Sequence, residues 1–179
     1  MPLPALVEAL WNDLQSVRMQ LLKEAEGLSQ AQADWRTSDQ DWSVGEIVHH
    51  LTLAEVATGK VTSKVLREAG ETVKPFPADL NAFAPLSTPA GGRAEAPPAV
   101  WPERGKPFAE LVAEMKMARE RSRQSIERLG TVDPRPLTFP HPRLGALDLA
   151  QWWTLQAWHD GIHLEQLRGV KAAPGFPTA

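Results

Sequence analysis

Proline sets the tightest limit on what this chain can become, because it removes a backbone donor and clashes inside a helix. Long Pro-free stretches therefore mark where helices can run. From Ala5 to about Gly27 the residues Leu6, Leu10, Leu14, Val17, Leu21 and Leu22 recur at three- and four-residue steps, the spacing of an amphipathic helix. Ser43 with Glu46 fits a capping box, and Ile47, Leu51, Ala54, Val61 and Val65 carry a second helix to about Ala69, where Gly70 ends it. A third begins near Pro107, with Phe108, Leu111, Val112, Met115, Ser122, Ile126 and Leu129 on its inner face and Gly130 at its end. Asp148 with Gln151 repeats the capping logic for a fourth, which runs to about Arg168. Leu28–Trp42 is expected to hold one short helical turn begun by Ser29, packed through Trp35 and Trp42.

Half of the chain's 16 prolines fall between Gly70 and Pro107, together with Gly91-Gly92, so residues 70–106 read as a long irregular connection. Phe76, Phe83 and Trp101 indicate that parts of it pack on the body. Pro134, Pro136, Pro140 and Pro142 mark residues 131–147 as a second irregular stretch, and 170–179 as a tail. The expectation is an all-α four-helix bundle forming a single domain over 1–179. Close connections make the first and second helices, and the third and fourth, antiparallel neighbours. The long middle segment returns the chain, giving an up-down-down-up order.

Composition closes off several functions. A chain of 179 residues can bury a core unaided, and the absence of cysteine excludes zinc fingers, disulfide scaffolds, Cys-ligated clusters and a thiol nucleophile. A net charge of −3 with interspersed signs offers no uniform attraction for phosphate backbones or anionic lipid, so neither nucleic acid nor membrane is expected as a partner. The N-terminus lacks a signal-peptide pattern and no window reaches the length of a membrane span, so a cytoplasmic location is expected.

Chemistry concentrates in the histidines. His159 and His163 stand four apart and leave the same helix face, where two imidazoles can grip one ion. On the second helix His50 shares the inward face with Ile47, Leu51 and Ala54, whereas His49 is rotated by about 100°. Helices packed about 8–10 Å apart allow a pair on one and a single His on the other to converge. Three such rings without a partner would leave buried nitrogens unsatisfied, and coordination of a cation removes that cost. Glu46 is read as part of its cap in preference to a partner of His50. Trp152, Trp153 and Trp158 are read as core or interface, and His141 and Arg143 as exposed turn residues.

The run Trp42-Ser43-Val44-Gly45-Glu46-Ile47-Val48-His49-His50-Leu51 with Glu55 after it resembles the second-helix signature of the DinB-like superfamily of bacterial four-helix bundles, which includes YfiT-like thiol transferases. The turn His141-Pro142-Arg143-Leu144-Gly145-Ala146-Leu147-Asp148 and the later His159-Asp160-Gly161-Ile162-His163-Leu164-Glu165-Gln166-Leu167 resemble its entry into the fourth helix and its paired histidines. The resemblance implies the up-down-down-up bundle and one divalent ion, nickel or zinc, held by His50, His159 and His163. It also implies an external thiol of the bacillithiol or mycothiol type, activated for attack on an electrophilic substrate. The Pro-rich connection is longer than in many relatives. Two other readings stand beside transfer. One is a metal-water hydrolase of a small ester or amide, since His159-Asp160-x-x-His163 echoes H-E-x-x-H with Asp in place of the base. The other is a non-catalytic bundle that binds metal or a small ligand, or forms a homodimer through its Trp-rich surface.

Overall fold

The computed structural model describes residues 2–87 and 96–178; Pro89 and Gly91-Gly92 of the expected connection lie outside the described residues. Among the described residues five α-helices form where the prolines allow: α1 (Ala5–Ala25), α2 (Gln30–Asp34), α3 (Val44–Ala69), α4 (Phe108–Leu129) and α5 (Leu149–Ala172). Their starts are chemically explicit. Ser29, Ser43 and Asp148 each accept from the amide three residues on, and Gln32, Glu46 and Gln151 reach back, so α2, α3 and α5 all open on capping boxes. Gly70 closes α3 with φ +52°, a conformation that favours glycine. Pro107 sits one position earlier than expected, as the N-cap of α4.

The four long helices form the bundle, α3 packing most extensively on α4, α1 on α5, and α3 on α5. This corrects the expected neighbours. The first and second long helices, α1 and α3, lie across a diagonal, as do α4 and α5, because the links between them are long enough to cross an end of the bundle. One apolar cluster joins Leu21 of α1, Ile47 and Leu51 of α3, Leu111 and Met115 of α4, and Leu164 and Leu167 of α5. A second joins Leu10 and Leu14, Val65, Ile126 and Leu129, and Leu149 and Trp153. Chain direction follows from the order in which each helix meets the two clusters: α1 and α5 run one way, α3 and α4 the other.

Between the apolar ends lies a polar layer, in which Arg18, Glu55, Thr58, Arg119, Ser122, Gln156 and Asp160 are all buried. On α1 the inward stripe is Val7, Leu10, Leu14, Arg18, Leu21 and Ala25, rotated from the apolar spacing so that Leu6, Val17 and Leu22 are only partly covered.

The stretch before α5 is not irregular. β1 (Thr138–His141) and β2 (Gly145–Asp148) pair antiparallel, with Pro140 opposite Ala146 and His141 opposite Gly145. A two-stranded ribbon has only edge strands, so a proline that cannot donate is tolerated, and Gly145 at φ +75° takes the left-handed turn position. The Pro-rich connection is tied down at both described ends. Phe76 N and Thr131 O are 3.2 Å apart, Asp133 N and Lys74 O 2.8 Å, and Phe76 and Phe83 pack on the second apolar cluster. Its later part, with a 3-10 turn at Pro98–Val100, lies against α3. Among the described residues no helix is long and apolar enough to cross a membrane.

Candidate metal centre

His50 projects from α3 and His159 and His163 from α5, two helices in direct contact, and their ligand atoms lie within 4.8 Å of one another. Nε2 of His159 is 3.1 Å from Nε2 of His50 and 3.1 Å from Nε2 of His163. Two nitrogens bound at 2.0–2.1 Å to one ion stand about 2.9–3.4 Å apart at octahedral to tetrahedral angles. The three sequence-predicted residues thus form a group that can hold a metal ion.

The second ring nitrogens fix which atoms remain available. Nδ1 of His50 is 2.7 Å from the carbonyl of Val100, an acceptor only, so this nitrogen carries the proton and Nε2 keeps its lone pair. Nδ1 of His163 donates to Oε1 of Gln166 at 2.6 Å, with the same result. Nε2 of His159 therefore faces two lone pairs, and a neutral ring has at most one proton to offer them. A cation satisfies all three at once, and partners on the far ring nitrogens are what metal-ligating histidines ordinarily have.

Burial sets the electrostatics. It holds His50 down to about 4 and His159 to about 2, and the neighbouring imidazoles add to the effect in both. His163 is lowered by burial as well. All three rings stay neutral near pH 7, the form that binds metal. The sign of the pH dependence follows. The unfolded chain takes up protons below about pH 6.5 while the folded metal-free protein refuses them, so the stability present above that pH is lost as the pH falls toward the folded values, by up to about 1.4 kcal/mol per unit for each histidine. Urea midpoints of the metal-free protein should therefore drop between pH 7 and pH 5, above most carboxylate titration; a flat profile would contradict the burial of the neutral rings.

Trp42 covers the group, its ring 4.7 Å from that of His50 and stacked at 21° and 5.9 Å on His163, and Trp101 meets Trp42 edge-on at 5.8 Å. His49 turns away as expected. Its Nδ1 accepts from the amide of Glu103 at 3.0 Å, so the two adjacent histidines hold the connection at neighbouring points. Glu46 is occupied by its cap, accepting from Ser43 N at 2.9 Å and from Arg36 Nε at 2.8 Å, and gives nothing to His50. Trp153 is fully buried and donates to Thr62, Trp152 donates to the carbonyl of Phe139, and Trp158 is exposed. His141 is not simply an exposed turn residue, because its ring packs 5.2 Å from that of Trp152.

The feature that the sequence reading missed lies under the histidines. Arg18 of α1, Glu55 of α3, Arg119 of α4 and Asp160 of α5, one residue from each long helix, form a buried network of zero net charge. Asp160 accepts from Arg18 Nη2 at 2.8 Å, Arg119 Nη2 at 3.1 Å and Gln156 Nε2 at 2.9 Å, while Glu55 accepts from Arg119 Nε at 2.7 Å and lies 2.9 Å from Arg18 Nη2. The available signal was a charge placed on an apolar stripe: Arg18 follows Leu14 by four residues and Arg119 follows Met115 by four. Because Asp160 lies between His159 and His163, this network also fixes the rotation of α5 that presents both histidines.

Comparison with known proteins agrees with this architecture. The chain is similar to the uncharacterized protein YuaE of Bacillus subtilis (strain 168), 22% identical over 156 residues that span 86% of this chain and 92% of that one. Its fold is similar to that of TT2238, a four-helix bundle protein of known crystal structure, with a TM-score of 0.64 and 20% identity over 91% of this chain and 98% of the other. Residues 13–167 match the DinB superfamily, and the chain belongs to that superfamily.

Proposed function

We propose that His50, His159 and His163 hold one nickel or zinc ion, and that the protein is a transferase activating an external low-molecular-weight thiol, of the bacillithiol or mycothiol type, for attack on an electrophile. The observation that carries this reading is the donor set itself: three neutral imidazoles with their Nε2 lone pairs converging and no carboxylate among them. When bound, an ion in such a set keeps its full charge and lowers the pKa of a thiol or water that reaches it, supplying a nucleophile near neutral pH. Val100 and Gln166 orient His50 and His163, and Trp42 shields the rings from bulk water on one side.

With no cysteine in the chain, the sulfur must come from outside. In the transfer, the thiol proton passes to water, the sulfur forms the bond to carbon and the leaving group departs with its electron pair. Asp160 is unsuited to the general-base role of an H-E-x-x-H enzyme, because its carboxylate is fully buried on Arg18, Arg119 and Gln156. The test is consumption of bacillithiol or mycothiol with 1-chloro-2,4-dinitrobenzene by nickel-loaded, zinc-loaded and metal-free protein. A loaded form should exceed the metal-free rate at least tenfold. Equal rates would overturn transfer, and thiol-independent release of acid or amine from small esters or amides would move the assignment to hydrolysis.

A further inference from the structure

The four buried charges are sorted by helix. Both carboxylates, Glu55 and Asp160, stand on α3 and α5, the helices that carry His50, His159 and His163. Both guanidinium groups, Arg18 and Arg119, come from α1 and α4, whose sequences contain no histidine. Each arginine touches both acids. Nη2 of Arg18 lies 2.8 Å from Oδ2 of Asp160 and 2.9 Å from Oε2 of Glu55. Arg119 donates from Nε to Oε1 of Glu55 at 2.7 Å and from Nη2 to Oδ2 of Asp160 at 3.1 Å. The two histidine-bearing helices are therefore tied to each other twice, through helices that supply none of the three rings.

Electrostatics gives these ties a direction. Two carboxylates closed into one buried layer repel each other, and water does not screen them there. With the arginines in place the layer is neutral and draws α3 and α5 together. The spacing of those helices acts on the histidine group unequally. The 3.1 Å separation of Nε2 in His159 and His163 is set within α5 alone, whereas the 3.1 Å separation of Nε2 in His50 and His159 crosses from α3 to α5. Asp160 is the neighbour of His159 in the chain, and Glu55 stands about a turn and a half beyond His50. Widening the gap would thus carry His50 away from an otherwise intact pair.

We propose that Arg18 and Arg119 are positioning residues for the metal centre: together they set the gap between α3 and α5, and with it the reach of His50 toward the two histidines of α5. As a statement about metal this rests on the reading above; the gap itself is measurable without an ion. Chelator competition on the full-length protein gives cobalt(II) affinity, and the visible bands of the cobalt(II) form report its geometry. Arg18→Met leaves two buried carboxylates on one guanidinium and should weaken cobalt(II) about 10–100-fold, with shifted bands. Adding Glu55→Gln makes the layer neutral again and should recover most of that loss. Arg18→Lys keeps the charge without the fork and should lose less, about three- to tenfold, and it serves as the test if Arg18→Met does not fold. Leu129→Ala, which opens a cavity in the second apolar cluster, should lower the urea midpoint while affinity stays within about twofold and the bands stay in place. Unchanged affinity and bands in the Arg18 variants, or an equal loss in Leu129→Ala, would overturn the positioning role. If the wild-type protein binds no ion, the metal reading falls, and ring-nitrogen NMR shifts of the metal-free protein decide the rest. Those of His50 and His159 should move in Arg18→Lys, and identical spectra would overturn the control of the gap.

Discussion

Replacing Asp160 by alanine should destabilise the protein by about 3–5 kcal/mol, the usual cost of breaking a buried ion network from one side. The carboxylate is fully buried and takes hydrogen bonds from Arg18, Arg119 and Gln156. Its removal leaves two guanidinium groups sharing Glu55 alone, an uncompensated positive charge in the middle of the bundle. Nη1 of Arg18 and Nη1 of Arg119 already have no hydrogen-bond partner among the described residues, so little spare acceptor capacity exists to absorb the change. Against a typical total of about 5–15 kcal/mol, the loss is a large fraction of the stability. Urea denaturation of metal-free protein measures it directly, and a change below about 1 kcal/mol would show that the network does not carry the interior. Replacing all four charged residues by apolar ones of similar volume should cost far less than the single substitution, because desolvation is then avoided along with the pairing.

The second large effect is expected at His163. Removing one of three ligands should weaken binding of nickel or zinc by about 10²–10⁴-fold, a share of the roughly 10–16 kcal/mol that tightly held zinc can contribute. Competition with a chromophoric chelator reads the loss. Helical circular dichroism should stay intact, because His163 is only partly buried at the margin of the apolar cluster. Gln166→Ala should act through the ring it orients, with a smaller loss of about 10–100-fold. His49→Ala should leave affinity nearly unchanged, since its ring serves the amide of Glu103. Metal affinity surviving His163→Ala would separate the histidine cluster from any metal chemistry.

The histidine cluster was legible because helical phase is arithmetic: His159 and His163 share a face by their spacing, and the neighbours of His50 marked it as inward. The capping boxes at Ser43 and Asp148 were likewise written in local sequence, and the turn begun by Ser29 opens on a third. What escaped depended on contacts between distant segments. Apolar periodicity chose Val17 for the inner face of α1, whereas the buried position is Arg18, tolerable there only because Glu55 and Asp160 arrive from other helices. The hairpin at 138–148 was hidden by its prolines, which exclude a helix but not a ribbon of two edge strands. The mistaken neighbours of the long helices came from treating a short connection as a sharp turn, when a link carrying α2 spans the end of the bundle.

His49 and His50 also bear on how freely the crossover can vary. One ring accepts from Glu103 and the other donates to Val100, so two successive residues of a rigid helix grip points three residues apart, one at the end of the 3-10 turn and the other beyond it. Surface loops usually absorb insertions and deletions with ease. Here, gain or loss of even one residue between Val100 and Glu103 would put the two grips out of phase, turning the orientation of the His50 ring into a matter of loop length.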